Sequence, residues 1–187
     1  SSGASDVYKS QGHANYLDDE TLALLEANRD RVLVGPAVAW EITFLEHYQS
    51  FGFETGSPEH EGYAAELEAT QASVKRMREA GIRVLVGGDY GLNITPHGTY
   101  AKELQYFTDY FGFSPGEALQ AATKHGGEAF MPDGSLGTLE AGKIADMVIV
   151  KGNPLEQIGV LQDADAIVAV IKDCLLYTSP SPRDGTK

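Results

Sequence analysis

The chain has 187 residues, and its 14 Lys and Arg against 27 Asp and Glu give a formal net charge of −13 at pH 7. Hydrophobic residues make up 42% of the sequence and charged residues 22%, which is typical of a globular protein and not of a disordered one. The acidic balance argues against binding to nucleic acid or to an anionic membrane, because both need a basic surface. The longest nearly apolar stretch, residues 32–40, is too short for a membrane span of roughly 20 residues.

The composition also bears on the compartment. The single cysteine, Cys174, rules out a disulfide within this chain and a cysteine-based zinc cluster. The first residues are polar and contain no apolar segment of the kind found in secretory leaders. The sequence is compatible with a reducing compartment, and we predict a cytoplasmic location.

Helices and strands are predicted to alternate over the first 131 residues. Helices are predicted over residues 17–31, 41–51, 63–80, 99–111 and 115–125, and strands over residues 31–39 and 82–88. The first strand segment is continuously apolar after Arg31, as in a strand that is buried on both faces of a parallel sheet. The alternation therefore predicts an α/β protein with a parallel sheet.

Turn and capping residues set several of these boundaries. Pro36 is expected to end the regular pairing of the first strand, and Gly81 to end the helix before the second. Ser114 and Glu117 form a capping-box pattern at the start of the last helix, and residues 126–127, both glycine, are expected to end it.

The sequence changes character near residue 132. Residues 136–143 suggest a turn between short strands, and residues 147–151 and 167–171 are predicted strands. We therefore divide the chain into an α/β region, 1–131, and a β region, 132–174. The remaining residues, 175–187, contain two prolines and no periodicity, which predicts a disordered and non-native tail.

Asp89 is the strongest candidate for chemistry in the α/β region. It directly follows the predicted strand 82–88, and ligands of parallel α/β proteins bind at the carboxyl ends of the strands. A carboxylate at this place can bind a divalent metal or transfer a proton. Aspartate is also common in turns, so the position alone leaves a functional and a capping role open.

The five histidines include no pair with metal-binding spacing. His97 lies in the loop after the Asp89 strand and could reach the same face, although a solitary histidine is more often a surface or hydrogen-bonded core residue. The patterns of a serine nucleophile elbow and of a phosphate-binding loop are both absent from the sequence. Nucleophilic catalysis and nucleotide binding therefore have no support.

Several motifs follow one another in the second half of the chain. They are Gly87-Gly-Asp-Tyr-Gly91, Pro96-His-Gly98, Ser114-Pro-Gly-Glu-Ala-Leu119, Leu136-Gly-Thr-Leu-Glu-Ala-Gly-Lys-Ile-Ala-Asp146 and Gly152-Asn-Pro-Leu155. This series resembles the C-terminal part of the metal-dependent amidohydrolase superfamily, in particular its imidazolonepropionase-like and prolidase-like branch. The likeness covers residues 13–174 and is strongest over residues 81–155.

The resemblance implies the C-terminal part of a (β/α)8 TIM barrel, from about strand six to strand eight, with residues 81–89 as strand eight. Residues after 132 would be return strands of a small composite β-domain. A full barrel typically needs about 250 residues, so this chain would supply about three of the eight strand–helix units. The H-x-H motif, the bridging lysine and the strand-five histidine of the family would lie upstream.

The resemblance also implies roles for three residues. Asp89 matches the strand-eight aspartate, which binds the metal, takes a proton from the attacking water and passes it to the leaving group. His13 resembles the strand-six metal histidine, although residues 8–12 are more polar than the strand that precedes it in the family. His97 resembles a loop position near the substrate. The implied cofactor is a divalent metal, most often zinc, with one or two ions in the complete protein.

We therefore predict a fragment of a metal-dependent hydrolase that cleaves a C–N bond in a small-molecule amide, cyclic amide or dipeptide. Two ligands cannot close a catalytic metal site, which needs three protein ligands, so the isolated chain is expected to be inactive. The alternative is a non-enzymatic half-barrel that associates with a partner chain or with itself. An open parallel sheet would drive this association, because it exposes a long edge and an apolar interior.

Overall fold

The computed structural model describes residues 9–12, 14–173 and 175–178, which form two three-stranded sheets. The first is parallel and contains β1 (Lys9–Gly12), β2 (Val32–Gly35) and β3 (Arg83–Val84) in sequence order. The second is antiparallel and contains β4 (Met147–Val150), β5 (Ile167–Lys172) and β6 (Leu175–Thr178). The predicted α/β class is confirmed.

Helices connect the parallel strands. Helix α1 (Asp19–Ala27) joins β1 to β2, and α2 (Ala39–His47), the 3-10 turn Tyr48–Phe51 and α3 (Pro58–Glu79) join β2 to β3. Helices α4 (Lys102–Tyr110), α5 (Pro115–Gln120) and α6 (Gly126–Phe130) follow β3. Crossovers of this length are what parallel neighbours require. No helix in the described part of the chain is long and apolar enough to cross a bilayer.

The core lies between the parallel sheet and helices α2, α3 and α4. Val34 of β2, Ile42 of α2, Met77 of α3 and Phe107 of α4 are all completely buried. Leu33, the neighbour of Val34, is buried as well. Since successive strand residues point to opposite faces, β2 is covered on both sides, as its continuous apolar sequence predicts.

The ladder between β2 and β3 is shorter than predicted. It pairs Leu33 with Arg83 and Val34 with Val84, and the Leu85 N–H adds a hydrogen bond of 2.8 Å to the Val34 carbonyl. Pro36 has no N–H, so β2 cannot extend the ladder beyond its end. The predicted strand 82–88 is therefore paired as a strand at residues 83–84 only.

Helix α3 begins earlier than the predicted residue 63. The Ser57 side chain caps it by accepting a hydrogen bond of 3.3 Å from the His60 N–H, and Pro58 occupies the first helical turn. Both are standard signals for a helix start. The predicted stop at Gly81 is confirmed by its φ of 72°, a left-handed conformation that favours glycine.

The last predicted helix does not end at residues 126–127. One turn of π-helix, Ala121–His125, follows α5, and α6 then continues the helical path to Phe130. Gly127 is needed for a close approach to another segment and not for a helix stop. A Cβ added to Gly127 would lie 2.5 Å from the Leu136 carbonyl oxygen.

The β region contains both strands predicted for it, as β4 and β5. Residues 136–146 form turns and bends without a strand, so the predicted turn has no strand before it. The predicted tail is wrong for Leu175–Thr178, which pair with β5 as β6. The Asp146 carboxylate supports this pairing, because it accepts a hydrogen bond of 3.0 Å from the Asp173 N–H at the β5–β6 turn. Residues 179–187 lie outside the described residues.

The contact at Gly127 predicts opposite effects for two helical glycines. Gly127→Ala should lower the free energy of unfolding by about 1–3 kcal/mol, because the new methyl group meets rigid backbone. Gly62→Ala in α3 meets nothing within 4 Å and should raise it by up to about 1 kcal/mol through helix propensity. Urea denaturation of both variants measures this, and a Gly127→Ala variant as stable as Gly62→Ala would contradict the packing described.

Candidate active site

Asp89 lies at the carboxyl end of the parallel sheet, shortly after β3, and its side chain is exposed. The adjacent strands β1 and β2 end at the same edge, where Gly12 is in register with Gly35. A Cβ added to Gly35 would lie 3.9 Å from the Gly87 carbonyl oxygen, so the segment before Asp89 still runs beside β2. The structure thus places Asp89 at the strand-end edge that the sequence predicts.

The loop after Asp89 is closed by Thr95. The Thr95 side chain is buried and its hydroxyl donates a hydrogen bond of 2.6 Å to the Asp89 carbonyl oxygen. The Gly91 N–H donates to the Thr95 carbonyl over 2.8 Å, and the Thr95 N–H donates to the Leu92 carbonyl over 3.1 Å. These bonds fix the main chain of Asp89 while its carboxylate faces solvent. Sequence analysis did not identify Thr95.

His97 belongs to the same loop and is exposed. Its ring packs on Gly91, where an added Cβ would lie 2.9 Å from Nε2, and its Nδ1 is 2.7 Å from the Tyr100 hydroxyl. The structure therefore brings His97 close to the residues that follow Asp89. Its contact with a substrate stays a prediction.

His13 follows Gly12 of β1 in the sequence and lies outside the described residues. The next described residues form a buried polar cluster behind this strand end. Asn15 Nδ2 donates to Glu41 Oε1 over 2.8 Å and also to the Glu66 carboxylate. The Ser73 hydroxyl donates to the Asn15 carbonyl over 2.9 Å. This cluster, which sequence analysis did not identify, ties the segment after β1 to α2 and α3.

Burial changes the acidity of Glu41. The side chain is almost completely buried, which raises the pKa of its carboxyl to about 7, and the nearby Glu66 carboxylate acts in the same direction. Hydrogen bonds from Asn15 and Thr70 partly oppose this shift. Close to neutral pH the cluster can therefore hold a proton on Glu41.

Glu103 is a second buried carboxyl group, in the first turn of α4 and only 1% exposed. Burial raises its pKa to about 7, the backbone amides of Gly87 and Gly88 and the Tyr90 hydroxyl lower it, and Asp89 adds to the increase. Sequence analysis gave Glu103 no role, although its spacing of four from Phe107 places it on the buried face of α4.

A cavity of about 340 Å³ opens between the end of α2 and the loop after Asp89. Its walls include Thr43, His47, Tyr90, Thr95 and Lys102. The Lys102 ammonium donates a hydrogen bond of 2.6 Å to Glu46, so its charge is balanced locally. The volume lies within the range of small-molecule sites, about 300–1,000 Å³. The cavity can thus receive part of a small molecule next to Tyr90.

The described residues do not form a metal centre by themselves. No three His, Cys, Asp or Glu side chains among them lie in an arrangement that could hold a metal ion. Asp89 offers exposed carboxylate oxygens, which are suitable donors, but a catalytic zinc site needs three protein ligands. Of the two predicted metal ligands, the structure describes Asp89, and His13 lies outside the described residues, so their placement relative to each other stays a prediction.

The raised pKa of Glu41 predicts a pH-dependent stability effect. The stability that the fold has when Glu41 is protonated is fully present below a pH of about 4.5. It is lost as the pH rises through about 7. Glu41→Gln keeps an acceptor for Asn15 but does not titrate. It should therefore raise the free energy of unfolding by about 1–3 kcal/mol relative to the wild type at pH 8, and have little effect at pH 5.

Urea denaturation at both pH values measures this difference. Glu68→Gln, at an exposed position on the same helix as Glu66, is the matched control and should show no such pH dependence. A Glu41→Gln variant that is less stable than the wild type at pH 8 would show that the fold needs the ionised carboxylate.

Comparison with known proteins supports the interpretation of the motifs. The model of the amidohydrolase family matches residues 6–176. Ochratoxinase from Aspergillus niger is 30% identical over 173 residues, which is 92% of this chain and 34% of that protein. Imidazolonepropionase from Symbiobacterium thermophilum is 34% identical over 84 residues, which is 45% of this chain and 20% of that protein.

Solved structures give the same result. The crystal structure of a protein from Bifidobacterium longum assigned as a prolidase matches with a TM-score of 0.80 and 26% identity. This match covers 94% of the present chain and 43% of that chain. The present chain thus spans about a third of the length of ochratoxinase and less than half of the prolidase structure. The superfamily and the branch predicted from the motifs are confirmed, and the chain belongs to the amidohydrolase family.

Proposed function

We propose that this chain is the C-terminal part of a metal-dependent hydrolase that cleaves a C–N bond in an amide, a cyclic amide or a dipeptide. The observation that carries the proposal is the place of Asp89, an exposed carboxylate at the carboxyl end of a parallel sheet in a member of the amidohydrolase family. The similarity to ochratoxinase, imidazolonepropionase and a prolidase supports a small-molecule substrate of this class.

In this proposal β1, β2 and β3 are strands six, seven and eight of a (β/α)8 barrel. Their parallel order, with helices in each connection, supports the assignment. The antiparallel sheet of β4, β5 and β6 would belong to the small β-domain. Active sites of such barrels lie at the carboxyl ends of the strands, which is where Asp89 is found, and the cavity beside Tyr90 is lined by the loop that follows Asp89.

Asp89 would have two roles, as a metal ligand and as a proton carrier. A divalent metal, zinc in our proposal, lowers the pKa of the attacking water when it is bound. The Asp89 carboxylate would accept a proton from that water and then donate it to the leaving nitrogen. The hydrogen bond from Thr95 supports this, because it fixes the main chain that carries the exposed Asp89 side chain.

His13 would be a second metal ligand, and His97 would contact the substrate from the loop after Asp89. The other ligands would come from a part of the protein outside this chain, which corresponds to the portion of its relatives that this chain does not match. We therefore propose that the 187-residue chain is inactive in isolation, since a catalytic metal site needs three protein ligands and an open position. The cytoplasmic location stays a prediction.

The alternative is a half-barrel that associates with a partner or with itself and catalyses nothing. Large apolar side chains exposed on the described part of the chain favour it. They include Tyr16, Phe130, Val148 and Val168, with 76%, 84%, 52% and 51% exposure. A chain that remains monomeric in solution would argue against this alternative.

The role of Asp89 predicts the outcome of a substitution. The substitution is made in a longer protein that contains this chain and has the full length of its relatives. Asp89→Asn keeps the shape of the side chain but cannot carry the proton, so kcat/KM for amide hydrolysis should fall by about 10²–10⁴-fold. The Tm should hardly change, because Asp89 is exposed. Initial rates with a set of dipeptides and N-acyl amino acids measure the effect.

Asp165→Asn is the matched control. Asp165 is also an exposed aspartate, but it lies in the turn before β5, in the β region. Its variant should keep the wild-type rate. An Asp89→Asn variant as active as Asp165→Asn would remove the basis of the proposed function.

A further inference from the structure

Glu103 is a buried carboxyl group that the proposed reaction does not use. It is 1% exposed, and its Oε1 has no hydrogen-bond partner within the described ranges. Burying a carboxyl group is costly unless nearby groups compensate for the lost water. A carboxyl group on the apolar face of α4 therefore destabilises the fold, and its contacts should explain why it is there.

The residues on both sides of Asp89 contact this carboxyl group. A Cβ added to Gly88 would lie 3.2 Å from Glu103 Oε2, so the main chain before Asp89 passes against the carboxylate. After Asp89, the Tyr90 hydroxyl donates a long hydrogen bond of 3.5 Å to the same oxygen. Glu103 therefore touches the segment that carries Asp89 from two directions.

The surroundings leave little room for another arrangement. A Cβ on Gly88 would also lie 2.7 Å from the Ala39 Cβ and 3.0 Å from the Tyr90 ring. The segment is thus enclosed between α2, the Tyr90 ring and Glu103. The backbone amides of Gly87 and Gly88 favour the ionised form of Glu103, and so does its place in the first turn of α4, where the helix dipole is positive.

We propose that Glu103 is a positioning residue for Asp89, which holds residues 87–90 against the first turn of α4 and so sets the direction in which the Asp89 carboxylate leaves the strand end. The inference rests on the proposed function, since it assigns Glu103 a task only if Asp89 reacts. It differs from a role in stability alone, because the contacts fall on Gly88 and Tyr90, the two neighbours of Asp89.

The test is Glu103→Gln in the longer protein that extends this chain to the length of its relatives. Dipeptides and N-acyl amino acids are the substrates. Glutamine keeps the shape but removes the charge, so it weakens the hydrogen bonds from the N–H and O–H donors that now face a carboxylate. Misplacement of a reacting group by about 1 Å can cost about 100-fold in rate, so we expect kcat to fall about 10–100-fold. KM should stay within about twofold, because Glu103 does not touch the substrate.

Phe107→Leu is the control for a purely structural effect. Phe107 is completely buried on the same face of α4, so its variant should lower the Tm and leave kcat and KM of the folded enzyme unchanged. A second readout uses the 187-residue chain itself. Glu103→Gln should accelerate hydrogen exchange at the Gly88, Asp89 and Tyr90 amides more than at the core strand β2, whereas Phe107→Leu should show no such preference.

Asp89→Asn, measured in parallel, separates the two claims. If Asp89→Asn is inactive and Glu103→Gln has the wild-type kcat, the positioning role is overturned and the proposed function stands. If Asp89→Asn is fully active, the proposed function fails and the role of Glu103 fails with it. A loss of kcat in Glu103→Gln that Phe107→Leu reproduces would also overturn the inference.

Discussion

The short ladder between β2 and β3 determines where the candidate residues of this chain lie. Pairing stops at the end of β2 because Pro36 cannot donate a hydrogen bond, and the main chain after Leu85 then continues to Asp89 without further ladder hydrogen bonds to β2. Thr95 closes the loop beyond this point by bonding to the Asp89 carbonyl. An exposed carboxylate is thereby carried on a main chain that is fixed by the loop that follows it.

Two buried carboxyl groups support the ends of this sheet. Glu103 contacts the segment that follows β3, and Glu41 bonds to Asn15 in the segment that follows β1. Burial raises the pKa of each to about 7, so each lowers the stability of the fold at alkaline pH. Groups whose acidity is shifted in this way are common around functional sites, where position matters more than stability.

The parts of the structure that depend on local sequence were predictable. The apolar run of β2, the stop at Gly81 and the capping box of Ser114 all act within a few residues of the chain, and each is found as predicted. Asp89 could be identified because an apolar strand segment precedes it in the sequence, although the paired strand ends at Val84.

The missed features depend on contacts between distant residues. Glu41 meets Asn15 across 26 positions, and the hydroxyl of Thr95 needs a closed loop to reach Asp89. The start of α3 is different, since Ser57 and Pro58 gave a local signal that was overlooked. Gly127 was interpreted as a helix stop because the sequence does not show that Leu136 passes beside it.

We propose that this chain supplies Asp89 to a metal site that other residues of a longer protein complete. The most direct measurement compares amide hydrolysis by the 187-residue chain with hydrolysis by a polypeptide that extends it to the length of its relatives, both loaded with zinc. We expect turnover by the longer protein and none by the isolated chain. Amide hydrolysis by the isolated chain, in proportion to its bound metal, would contradict this proposal.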